Sequence, residues 1–255
     1  MRFISVGLLF IALFIGAIIA YLPLKFVVDL SALKSKGVYY DRVVGTVWDG
    51  GLSDVHIAGE AIGQLNISLK PLSILKLKPE LAFEFAGAVG SGKGLMAFGL
   101  DKSITVRDVL GNIQLNAVKH LDMQLRRSPS KLNLSIRHLK TNAEGQCLDA
   151  SGHLTSDILS AVGRSWGWDG PEMDGSILCE GEHFLVDMKN KSGIDQLQAR
   201  GLFRSDLSYD VESHVKTQDV RLSNALISFG FVAQPEQGAY LYSKTAIAQA
   251  SAPAS

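Results

Sequence analysis

Beyond residue 40, apolar and polar positions alternate along the chain. Gln64-Leu65-Asn66-Ile67-Ser68-Leu69-Lys70 alternates without a break, as do Leu121-Asp122-Met123-Gln124-Leu125-Arg126 and Lys131-Leu132-Asn133-Leu134-Ser135-Ile136-Arg137. Tyr209-Asp210-Val211-Glu212 and His214-Val215-Lys216 continue the pattern. A period of two puts apolar side chains on one face of a strand and polar ones on the other, the pattern of a half-buried antiparallel sheet. Turn-forming clusters separate the runs: residues 87–94, Arg127-Ser128-Pro129-Ser130 and Asn190-Lys191-Ser192-Gly193. The runs on either side of Arg127 to Ser130 are expected to pair as a hairpin. The fold class expected is mainly β, with antiparallel hairpins forming a curved or folded-over sheet.

Two stretches carry helical spacing instead. Asp157 to Val162 follows a Ser156 cap, and Leu222, Ala225, Leu226 and Phe229 recur at i, i+3, i+4 and i+7 after Asp219, with Gly230 placed to end the helix. At the N-terminus the pattern changes again. Between Arg2 and Lys25 the 22 positions from Phe3 to Leu24 carry no charge. As a helix that run measures roughly 33 Å, enough to cross a hydrocarbon core of about 30 Å. A cleaved signal peptide is the alternative, but its apolar region is usually ~7–15 residues, and Ile18 is a poor residue before a cleavage at Ala20. The expected organisation is a membrane anchor over residues 1–25, one exported mainly-β domain over 26–245, and a disordered tail over 246–255. Arg2 and the terminal amine favour a cytoplasmic N-terminus, with the long domain translocated.

Composition narrows the function classes. Hydrophobic residues make up 47% of the 255-residue chain, too many for wholesale disorder. Lys plus Arg and Asp plus Glu are 25 each, so there is no positive charge excess to drive nucleic-acid binding by counterion release.

Candidate chemistry is sparse. Gly87-Ala88-Val89-Gly90-Ser91-Gly92-Lys93-Gly94 has the spacing of a phosphate-binding loop, but Gly94 stands where the Ser or Thr that binds magnesium is required. A hairpin turn is expected there. Cys147 and Cys179 are the only cysteines, and in an oxidising compartment a disulfide between them is the first expectation. Two free buried thiols, or a zinc site with His153 and His183, are the alternatives, although the spacings are not those of structural zinc. His56, His120, His138, His153, His183 and His214 are scattered, and no HExxH or GxSxG pattern occurs. Asp169 and Glu172 flank Pro171 and read as turn residues. The glycosylation sequons at Asn66 and Asn133 fall inside expected strands. No catalytic site and no metal or cofactor site is expected, so the protein is read as a non-enzyme.

Gly45-Thr46-Val47-Trp48-Asp49-Gly50-Gly51 reads on its own as a strand and tight turn, with Trp48 capping one end of the core. In its surroundings it says more. An apolar N-terminal run, this Gly45-Thr46-Val47-Trp48-x-Gly50 hairpin, and Ile67-Ser68-Leu69-Lys70 running into Pro71 and a Leu-rich turn follow in order. Later come Cys147, a strand through Gly152, a loop with Trp166, Trp168 and Pro171, then Cys179, a short helix and a strand around Tyr240-Leu241-Tyr242. This arrangement resembles the type II secretion system protein N family (general secretion pathway protein N). It departs in having Ile67 and Ser68 where the family often carries Trp. The resemblance implies an inner-membrane, periplasm-facing accessory of protein export, with other secretion components as partners and no cofactor. Docking is expected through sheet edges or a sheet face. The sheet is expected to close on itself around a dry core; the alternative is a lipid-handling module whose open apolar groove holds acyl chains.

Overall fold

The computed structural model describes residues 16–17, 20–31, 37–57, 59–75, 77–119, 121, 123–164, 167–206 and 208–246. Most of the expected anchor, Trp166, His120 and the tail after Ala246 lie outside these residues. Among the described residues no helix is long and apolar enough to cross a membrane.

Helix α1 (Leu24–Leu30) precedes β1 (Val38–Tyr39), β2 (Arg42–Gly45), β3 (Gly50–Ile57) and β4 (Glu60–Leu69). Helix α2 (Pro71–Leu75) leads to β5 (Glu80–Gly87), β6 (Gly90–Phe98) and β7 (Ile104–Gln114). After α3 (Met123–Arg127) come β8 (Lys131–Thr141) and β9 (Cys147–Ser156), then α4 (Ile158–Gly163). Strands β10 (Met173–Glu180), β11 (His183–Asn190), β12 (Gln196–Phe203) and β13 (Tyr209–Lys216) follow, and α5 (Val220–Ser228), β14 (Val232–Ala233) and β15 (Ala239–Ala246) complete the described chain.

All fifteen strands among the described residues join one antiparallel sheet in the order β1-β3-β4-β5-β6-β7-β8-β9-β10-β11-β12-β13-β15-β14, with β2 also paired to β3. Nearly every strand pairs with its neighbour in sequence, as short turns favour. The residues of one apolar face register across it: Ile67 opposes Phe83, Phe83 opposes Gly94, Ile136 opposes Gly152, and Gly152 opposes Ile177. Gly92 and Gly94 leave room on this face for aromatic rings. A Cβ at Gly92 would lie 2.6 Å from Phe85 Cε1, and one at Gly94 would lie 2.9 Å from Phe83 Cζ. Two glycines of the phosphate-loop-like run, Gly92 and Gly94, are therefore seats for phenylalanines, and the turn itself is only Ala88-Val89 between β5 and β6.

The expectation of self-closure is overturned. The strand order is linear, and the end strands β1 and β14 do not pair with each other. The apolar face is covered locally instead. At the first end Leu24 and Val28 of α1 pack on Leu52 and Val55. In the middle Cys147, Ala150, Leu154 and Ile177 form a second cluster. Near the far end Leu222 and Leu226 of α5 pack with Trp168, Met173, Leu197 and Val215. Between the first and second clusters Leu81, Phe83, Phe85, Met96 and Val106 remain half-buried.

The local expectations fare unevenly. Helix α5 starts as its sequence predicts: Asp219 caps it, its carboxylate accepting from the Arg221 and Leu222 amides, and Gly230 follows with φ of 87°. Helix α4 begins one residue later than expected, with the Ile158 N–H donating to Ser156 Oγ. The alternating run Leu121 to Arg126 is not a strand. Its residues from Met123 on lie in helix α3, and no hairpin forms at Arg127 to Ser130, because β7 pairs directly with β8 from Gln114↔Lys131 onward. Residues at i and i+4, such as Leu121 and Leu125, satisfy both periods, so a six-residue alternation cannot separate them. Among the described residues five short α-helices are thus present where two were expected, and the expected two, α4 and α5, are among them.

Cys147 and Cys179 form a disulfide with Cα atoms 5.7 Å apart, which closes the free-thiol and zinc alternatives. The β9–β10 ladder ends at Gly152↔Ile177, and the disulfide ties the two strands together beyond that point. It spans 32 positions of sequence, so the chain-entropy contribution is about 3–4 kcal/mol. Replacing both cysteines by serine is expected to lower the unfolding free energy in urea by about 2–4 kcal/mol. An unchanged midpoint would show that the bond adds nothing to the fold.

Candidate docking site

The hairpin motif holds the start of the folded body. Thr46 N–H donates to Asp49 O across the turn (3.0 Å), and Gly45 opposes Gly50 in the ladder. Gly45 has φ of 83°, a conformation that side chains with a Cβ adopt at a cost. Gly50 is constrained differently. A Cβ there would lie 2.6 Å from Thr46 O and 2.7 Å from Leu24 Cδ2. The second glycine is therefore the seat of α1. Val47, 7% exposed, donates its N–H to Leu22 O (3.1 Å), and its carbonyl accepts from Leu69 N–H (3.1 Å). Pro23 forms an isolated bridge with Thr46. Trp48 sits half-buried in the turn rather than at the end of a strand. The motif clasps residues 22–24 onto the ends of β2, β3 and β4, so the last residues of the apolar run belong to the folded body.

Pro71 lies next to this clasp and opens α2, where its missing N–H leaves no intrahelical bond unmade. Ser73 Oγ donates to Lys70 O (2.5 Å) and accepts from Glu80 N–H (2.8 Å), which folds the loop back toward β5. Glu80 is gripped by Lys70 Nζ at 2.6 Å and by the Arg107 guanidinium. The hydrogen bond from the Lys70 ammonium, followed by the charges of Lys70 and Arg107, holds the Glu80 carboxyl below the usual glutamate range. The six motif residues thus gather at one end of β2, β3 and β4, whereas the disulfide stands apart on β9 and β10.

The described histidines do not come together. His138 pairs with Asp149 (2.8 Å), His153 with Asp174 (3.3 Å) and His214 with Glu212, each at the surface of the polar face. Among the described residues no group of three or more His, Cys, Asp or Glu side chains is placed to hold a metal ion.

The far edge of the sheet is the feature that sequence reasoning missed. Strand β14 covers β15 only at Tyr240 and Leu241. Gln234 N–H donates to Ala239 O, while Thr217 N–H on the β13 side donates to Gly238 O. Backbone groups alternate sides along a strand, so Leu241, Ser243 and Thr245 point outward and Tyr242 and Lys244 point to β13. No described strand pairs with the outward groups of Ser243 and Thr245. Edge position depends on pairing order, which no local pattern encodes.

Among the described residues a single open antiparallel sheet with an N-terminal clasp defines the class, a mainly β protein. The chain matches the family described as "Type II secretion system (T2SS), protein N" over residues 36–241. It belongs to that family. It is also 29% identical over 109 residues to the Aeromonas hydrophila protein named "Type II secretion system protein N". That match covers 40% of this chain and 43% of the relative. No solved structure matches it.

Gly50→Ala is expected to push Leu24 off the hairpin and destabilise the fold by about 1–3 kcal/mol, with faster amide exchange at Val47 and Leu69. Wild-type exchange at both amides would show that the clasp does not depend on the missing Cβ.

Proposed function

We propose that the protein is a non-catalytic, inner-membrane-anchored accessory component of the type II secretion machinery that works in the periplasm by docking other components. Family membership supports the assignment to that machinery. The observation that favours docking is the open edge of β15, where the outward groups of Ser243 and Thr245 are presented to solvent at the end of an otherwise paired sheet. Backbone groups left in this state are the template for strand addition by a second chain. The opposite edge is less available, because β1 and β2 cover β3, and Leu22 and Pro23 lie against Val47 and Thr46.

A second reading has its own observation. The half-buried strip of Leu81, Phe83, Phe85, Met96 and Val106 suits acyl chains, so a lipid-handling role is the alternative.

Proline at Ser243 or Thr245 removes an outward donor without removing a backbone bond to β13, although at Thr245 it also removes the side-chain bond from Oγ1 to Asp210 Oδ1 (2.7 Å); proline is tolerated at such edge positions. Ser243→Pro together with Thr245→Pro is expected to leave the folded, disulfide-bonded protein at normal level and to lower secretion of type II substrates about five- to thirty-fold, the scale of losing one or two kcal/mol of docking. Normal secretion by the double variant, with phospholipid extracted from the purified full chain in equimolar amount, would replace docking by lipid handling.

A further inference from the structure

The clasp fixes the point from which the N-terminal apolar run leaves the folded body. Leu22 bonds to Val47, Val47 to Leu69, Lys70 N–H to Glu80 O, and Phe98 N–H to Pro79 O. This relay runs along one end of the sheet and joins the loops of residues 70–79 and 99–103 to the point of exit. Both loops carry apolar side chains turned to solvent: Leu72 is 74% exposed, Leu77 65% and Leu100 80%. Tyr21, just before the clasp, is 78% exposed. Leu77 also has φ of 53°, although glycine or asparagine would hold that conformation at lower cost.

The charges beside these side chains are mainly cationic. Lys70, Lys78, Lys102 and Arg107 stand against Glu80 and Asp101. Glu80 is already engaged by Lys70 and Arg107. Asp101 is engaged in its own turn, accepting from Ser103 N–H and Oγ. Lys78 and Lys102 have no ion-pair partner among the described residues. Exposed leucines interleaved with unpaired lysines match the boundary between lipid headgroups and acyl chains, where the apolar groups are buried and the ammonium groups meet phosphate. Isolated exposed leucines need no explanation, but three of them on two loops at the same end of the sheet as the clasp of a 22-residue uncharged run do.

We infer that the loops of residues 70–79 and 99–103 form a lipid-contact rim, which rests on an anionic phospholipid surface at the end of the sheet from which the N-terminal run emerges. The contact holds the sheet upright on the bilayer, with β15 directed away from the N-terminal clasp along the sheet. It does not require that β15 be a docking edge.

The native cysteines are paired, so one added cysteine gives a single labelling site. The full chain is placed in nanodiscs of phosphatidylglycerol or of phosphatidylcholine, with an environment-sensitive fluorophore at Leu72→Cys, Leu77→Cys, Leu100→Cys or Ile194→Cys. Ile194 is fully exposed and lies in the β11–β12 turn, at the opposite strand ends. The three rim probes are expected to brighten about two-fold or more and shift blue in phosphatidylglycerol, while the Ile194 probe stays as in water. Lys78→Gln and Lys102→Gln are each expected to reduce bilayer occupancy of the rim about five-fold. Rim probes that match Ile194 in both lipids would overturn the inference. So would rim probes that stay dark on lipid yet cross-link to another protein in cells, which would make the rim a protein interface.

Discussion

A sheet built almost wholly from hairpins between consecutive strands has one apolar face and two ends, and it must deal with both. Period-two patterning keeps Ile67, Phe83, Ile136, Ile177 and Val186 on the same face across many strands. Burying that face supplies most of the driving force for folding, at about 25 cal/mol for each Å² removed from water. Without closure the cover has to come from elsewhere. Helix α1 serves the first strands and α5 with the Trp168 loop the last strands, while at the centre Cys147, Ala150, Leu154 and Ile177 of the strands themselves pack together beside the disulfide. The motif, the disulfide and the capped helix are three local solutions to one constraint.

The same constraint links fold to function. A linear sheet keeps two edges, and here they are treated differently. The first edge is short and is used to hold residues 22–24 through the Gly45 to Gly50 hairpin. The second is left with the outward groups of Ser243 and Thr245 unpaired by any described strand. Natural proteins usually blunt such edges with charge, proline or a covering element. A β15 that carries only Lys244 among charged residues, covered by a two-residue β14, is suited to accept a strand from outside.

Much of this architecture was legible in the sequence where a local rule decides the outcome. Alternation identified β4 and β8, and Asp219 with its helical spacing and Gly230 identified α5 almost to the residue. The cysteine pair was readable from its count and from the oxidising compartment expected for the domain. Local rules failed where two periods coincide, as at Leu121 to Arg126, and where the answer depends on what lies opposite. Alternation names the apolar face but not its cover, so closure was expected and is absent. The glycines of the hairpin motif were readable as a turn. That Gly50 seats Leu24 was not, because Leu24 lay at the end of an apolar run that reads as membrane.

The central claim is that β15 presents a free edge, and residue-resolved amide exchange on the isolated full chain tests it most directly. The account predicts an alternation: Tyr242 and Lys244, bonded to β13, exchange slowly, while Ser243 and Thr245 exchange at nearly the rate of an unstructured chain. Equal protection at all four amides would contradict it, because it would mean that another strand already occupies the edge.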